Sequence, residues 1–213
     1  SSVARAPLVW GNGALLGLLL VPQLMRGLDA FGIALTALSI GSLIATLIAL
    51  ALVTQFIGSR RAQSIPVPRS YAATIPASHR ALFIFLLSLV VLRVTTLGLE
   101  IIWRPLFPWD ATMHWATKTR VWFEYNSIAT FVSTDAWLEM GGAGVFTDFQ
   151  PHYPAAVPLL QVWMNLVLGR WDESLMNLPW LLCLIALGSA FYGQQRALGI
   201  GQSADRSGVP DRQ

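Results

Sequence analysis

The chain has 213 residues, of which 54% are hydrophobic and 12% charged, against about 25% charged in a typical soluble domain. With a mean hydropathy of +0.56, this excludes a water-soluble fold, since so few charges cannot cover so much apolar surface; disorder, collagen and coiled coil are excluded too. A net charge of +3 with one Lys and no basic stripe also argues against a nucleic-acid partner.

A bilayer core of roughly 30 Å asks for about 20 apolar residues in a helix. Five runs are candidates. The first, about Leu8 to Met25, is interrupted by Gly11, Gly13, Gly17 and Pro22, which membrane helices tolerate. Arg26-Gly27-Leu28-Asp29 reads as a turn into the second, about Phe31 to Ile57, which carries no charge. A polar loop holding Arg60, Arg61, Arg69 and Arg80 without an acid leads to the third, about Ala81 to Trp103. The fourth, about Tyr153 to Leu168, and the fifth, about Leu178 to Gly193, are joined by a polar turn from Gly169 to Ser174.

The runs are continuous rather than alternating, so they read as helices and not as barrel strands. The predicted fold is all-α, a polytopic membrane helical bundle of about five transmembrane helices with one long amphipathic extracytoplasmic loop. Its parts are two helices in 1–57, a basic cytoplasmic loop at 58–80, three helices in 81–196 with the loop at 104–152, and a polar tail at 197–213. The all-basic loop sets the orientation, because Lys and Arg are retained inside. Residues 104–152 carry three basic and five acidic residues and so face outward. Cys183 stands alone, leaving no intrachain disulfide and no Cys-based metal site. The opening Ser1 and the lack of a clear signal-peptidase site lead to the expectation of a fragment of a longer polytopic protein.

The chemistry-bearing stretch is 104–158. Pro108 precedes a run from Trp109 to Tyr125 free of Gly and Pro, which reads as a helix with Asp110 in its first turn. Asp110, His114 and Lys118 are four residues apart and share one helical face. Asp110 serves either as a helix cap or as a general base for an acceptor hydroxyl or amine, and the two roles can coexist. His114 reads ordinarily as an interfacial hydrogen-bonding residue, since Asp-x-x-x-His alone is a weak metal pattern. Lys118 and Arg120 either snorkel at the interface or hold a lipid phosphate. Asp148 follows Gly141, Gly142 and Gly144 and reads first as a turn residue, second as a further carboxylate. Trp137 belongs either to an aromatic belt or to a sugar-stacking surface. Within the third run, Arg93 and Glu100 are seven residues apart on one face, where the ordinary role is a polar contact with a neighbouring helix.

The order of a Pro-Trp-Asp at Pro108 to Asp110, an amphipathic helix with Lys118 and Arg120, a loop, and His152-Tyr153-Pro154 before the next helix resembles the first extracytoplasmic loop of the GT-C class of membrane glycosyltransferases. It is most similar to the bacterial branch related to protein mannosyltransferases and aminoarabinose transferases, over about Trp103 to Trp163. The resemblance implies sugar transfer from a polyprenyl-phosphate carrier to an unspecified acceptor outside a bacterial inner membrane, with Asp110 as the acid of the family's first motif. His152 and Tyr153 fall on its His-Pro-type motif. Asp110 is followed by Ala111 where many family members have a second acid, so no ligand set supports a divalent metal, and no cofactor is named. The rival reading is a non-catalytic polytopic protein, a transporter segment or assembly partner.

Overall fold

The structure is a computed structural model that describes residues 2–59 and 77–197. Its long helices are α1 (Ser2–Ala30), α2 (Ala37–Ser59), α3 (Ala77–Trp103) and α7 (Leu178–Ala197), with shorter α4 (Thr117–Tyr125), α5 (Thr134–Glu139) and α6 (Ala156–Leu168). Strand is confined among the described residues to β1 (Phe131–Val132) and β2 (Phe146–Thr147), paired in parallel. The fold is therefore all-α.

Four helical stretches, Ala6–Ala30, Ala37–Ile57, His79–Trp103 and Leu175–Arg196, are long and apolar enough to cross a membrane. The chain is thus a multi-pass membrane protein whose apolar helices suit contact with lipid. Along α2 and α3, side chains such as Leu50, Leu52, Phe83, Phe85 and Val90 are more than half exposed, which water would not tolerate over so large an area. Hydroxyls in these helices turn back on their own backbone, Thr46 to Ser42 O and Ser88 to Phe85 O, so that hydrocarbon meets no unsatisfied donor.

The expected fourth span is corrected. Tyr153 to Pro154 is irregular and only Ala156–Leu168 is helical, which at 1.5 Å per residue reaches about 20 Å, a third short of the bilayer core. Leu159, Leu160 and Val162 are buried in protein instead, together with the polar Gln161 and Asn165.

The described residues divide into two compact units. One comprises, of the described residues, 2–15, 77–97 and 182–197. In it α1 and α7 approach closely, since a Cβ on Gly11 would stand 2.5 Å from Ala186 O and one on Gly193 2.5 Å from the Leu8 nitrogen. The expected basic loop at 58–80 lies mostly outside the described residues, as does the tail beyond Ala197, but Arg80 belongs to α3.

The second unit comprises, of the described residues, 16–59 and 98–181. Its core joins Val21, Met25, Leu28, Leu35 and Ile40 to Trp122, Leu159, Leu160 and Val162. The turn expected at Arg26 to Asp29 is still helix. α1 ends later because Gly32, at φ +70°, completes a Schellman cap in which Gly32 N donates to Asp29 O and Ile33 N to Leu28 O. α2 then starts on a reciprocal cap, with Thr36 Oγ1 accepting from Ser39 N and Ser39 Oγ from Thr36 N. This junction is tied to the segment after α4: Asp29 Oδ1 accepts from Ile128 N at 2.8 Å and Asn126 O from Leu35 N at 2.7 Å. The loop chemistry therefore sits at the α1–α2 turn.

Candidate functional site

Residues Trp109 to Tyr125 form one continuous helix, as predicted, but Ala111–Ala116 is wound as a π-helix before α4. Thr117 Oγ1 reaching back five residues to Thr112 O fits the wider turn. Insertions of this kind re-aim side chains and are frequent at functional sites.

Among the side chains that this helix buries, His114 and Lys118 both meet Asp148. His114 Nδ1 lies 2.5 Å from Asp148 Oδ1 and Lys118 Nζ 2.9 Å from Oδ2, with side-chain exposures of 6%, 3% and 2% for His, Lys and Asp. The Lys118 contact is off the angle of a formed hydrogen bond, and Oδ2 has no other partner among the described residues. Charge attraction at 2.9 Å does not need that angle, so the contact is an ion pair. Lys118 also donates to Gln150 O at 2.8 Å and Pro151 O at 3.3 Å, so two of its three donors are hydrogen-bonded while its charge is paired with Asp148. A carboxylate only accepts, so the proton between His114 and Asp148 belongs to Nδ1.

Asp148 reaches this place through the small sheet. Phe131 pairs with Phe146 and Val132 with Thr147, and Asp148 N donates to Val132 O. The preceding loop is set by Gly142, at φ +70°, where a Cβ would stand 2.7 Å from the Trp137 ring, and by Trp137 Nε1 donating to Val145 O. Trp137 therefore organises the loop. Burial pushes the Asp148 carboxyl up, but the Lys118 ammonium beside it and the hydrogen bonds from His114 and the Gln150 N–H outweigh it and hold it below the usual carboxylate range.

The expected site residues thus separate. Asp148 does make the predicted turn, its Oδ1 accepting from Gln150 N, but it is chiefly the buried counter-ion, because the chain folds it back onto the helix 30 positions after Lys118. Asp110 is exposed, caps nothing with its side chain, and joins no ion pair among the described residues. The covering loop reaches His114 and Lys118 and not Asp110, so the shared face does not become a shared site. Lys118 and Arg120 do not act as a pair either, since residues two apart on a helix do not face each other. Arg120 bonds Glu124 at 2.7 Å and lies over the Trp171 ring at 4.8 Å. His152 is exposed, whereas Tyr153 packs edge-on against His114, ring centres 5.4 Å apart.

A cavity of about 240 Å³ is lined by Arg26, Lys118, Trp122, Phe131, Pro151 and Tyr153, among others. Arg26 is exposed there and makes no ion pair among the described residues. Arg26 was expected only in a turn; the helical spacing through Met25 and Leu28, both buried, is the signal in the sequence that carries α1 past it. A larger apolar groove lined by Leu52, Val53, Gln55 and Phe56 lies on α2 and holds no ionisable group. Among the described residues no three His, Cys, Asp or Glu side chains converge, and the His114–Asp148 pair, with the Lys118 charge beside it, does not fit a metal. Compared with protein-family models, curated proteins and solved structures, the chain matches none.

Proposed function

We propose that this chain is a membrane glycosyltransferase, or part of one, moving a sugar from a polyprenyl-phosphate carrier to an acceptor at the extracytoplasmic face of a bacterial inner membrane. The observation that carries this reading is the cavity at the end of α1, where Arg26 meets the aromatic walls of Phe131, Trp122 and Tyr153. It is smaller than the roughly 300–1,000 Å³ of a small-molecule pocket, which suits a headgroup whose lipid tail stays in the bilayer. Arg26 would hold the departing phosphate. Lys118, its charge paired with Asp148 and two of its donors bonded, is a positioning residue that ties Pro151 into the cavity wall.

In the transfer, the acceptor oxygen or nitrogen bonds to the anomeric carbon, the carbon–oxygen bond to the lipid phosphate breaks, and the phosphate leaves with the electron pair. The acceptor proton needs an accessible carboxylate. Asp110 lies outside the cavity lining but is the carboxylate on this helix without a partner among the described residues, so an acceptor reaching from solvent toward the cavity would meet it, and we assign it that role.

The full chain in phosphatidylcholine proteoliposomes tests this. Polyprenyl phosphate should raise the melting temperature, the uncharged polyprenol should not, and Arg26→Ala should remove the difference. Equal effects of the two lipids on the unaltered chain would overturn the reading. The rival, a non-catalytic assembly partner, draws on the isolated charge of Arg93.

A further inference from the structure

Arg93 lies on α3 ten residues before Trp103 and fourteen after His79, so about 15 Å and 21 Å from the two ends of the span. An extended Arg side chain covers roughly half of the shorter distance, which leaves its head within hydrocarbon. The side chain is exposed and, among the described residues, its guanidinium makes no hydrogen bond, ion pair or ring contact. Thr96, one turn on, turns its hydroxyl to Arg93 O and leaves the guanidinium alone. Around it on the same face stand Leu86, Leu89 and Val90, all about half exposed.

Five N–H donors and a full charge in lipid demand an anionic acceptor at the same depth. The described spans of this chain hold two acids, Asp29 and Glu100, both near helix ends. Asp29 Oδ1 is bonded to Ile128 N and Glu100 to Arg104 at 3.0 Å. A second copy in the same orientation would present Glu100 about 10 Å from the level of Arg93, so the acid does not come from this chain's described spans. We infer that the Arg93 face of α3 docks a different transmembrane helix that carries an Asp or Glu at mid-bilayer depth. The inference does not rest on the transferase reading.

The test places the full chain, labelled at His79→Cys in a Cys183→Ala background, in phosphatidylcholine vesicles with an acceptor-labelled Leu/Ala transmembrane peptide bearing one central Asp, or Leu in its place. Energy transfer reports association. The Asp peptide should bind at least about tenfold more tightly than the Leu peptide, Arg93→Lys should keep most of that preference, and Arg93→Leu should abolish it. Equal binding of the two peptides to the unaltered chain, or a surviving preference in Arg93→Leu, would overturn the inference. If Arg93→Leu does not fold, Arg93→Gln is read by the same criterion.

Discussion

Lys118 and Asp148 meet as a buried ion pair, Nζ 2.9 Å from Oδ2, across 30 residues that include the whole glycine loop. The pair fastens the 148–151 segment onto the helix from Trp109 to Tyr125, and its removal one partner at a time leaves a charge in protein. Lys118→Met should cost about 3–5 kcal/mol, as breaking a buried pair does. The double variant with Asp148→Asn should cost less than the sum of the singles. Melting temperatures of the four proteins in one detergent check the cycle, and strict additivity would show that the two charges do not interact.

The same carboxylate predicts a pH dependence. The folded carboxyl sits below its unfolded value, so its stabilisation is fully present above the unfolded value of about 3.9 and is lost as pH falls through the lower folded value. Stability of the 104–155 region, followed by amide exchange, should therefore show no loss from this group between pH 7 and about 5. Below about 4 the loss should set in, and Asp148→Asn should lack that acid limb. An unchanged acid limb in Asp148→Asn would remove Asp148 from the account.

Asp110→Asn separates catalysis from structure. The side chain is exposed and makes no capping bond, so the melting temperature should stay within about half a kcal/mol equivalent of the unaltered chain. Transfer from a polyprenyl-phosphate-linked sugar should fall at least roughly a hundredfold, the usual scale for losing a general base. Full activity would leave Asp110 without a chemical role.

Topology offers an independent measurement. α3 runs from Ala77 to Trp103, a rise of about 40 Å, so a span by this helix predicts opposite sides of the bilayer for His79 at its start and for the exposed Ala143 in the chain that follows its end. With Cys183 replaced, Ala143→Cys should react with an impermeant thiol reagent in intact cells and His79→Cys only after permeabilisation. The reverse pattern would turn the loop to the cytoplasm and with it the proposed chemistry.

Much of this architecture is legible in the residues themselves. An uncharged run such as Phe31 to Ile57 has one low-energy state in lipid, a helix long enough to bury its own hydrogen bonds, and α2 is that helix from Ala37 on, the residues before it forming the cap of α1 and the turn. The uninterrupted stretch after Pro108 likewise declared a helix, because nothing from Trp109 to Tyr125 breaks one. Local propensity could not decide between a span and a buried helix for the run ending at Leu168. Gln161 and Asn165, four residues apart, were the signal: Gln161 accepts from Thr119 and donates to Asn177, and Asn165 accepts from Asp172 N, partners that exist only in a folded interior. The same holds for the site. Periodicity placed Asp110, His114 and Lys118 in line, yet a shared face says nothing about what packs over it. Only the return of the chain through β2 buries two of them on Asp148 and leaves Asp110 in solvent, and only the end of α1 brings Arg26 to the cavity. Long-range contacts have no period in sequence, so the tertiary structure alone decides which of these charges is neutralised and which stays free to act.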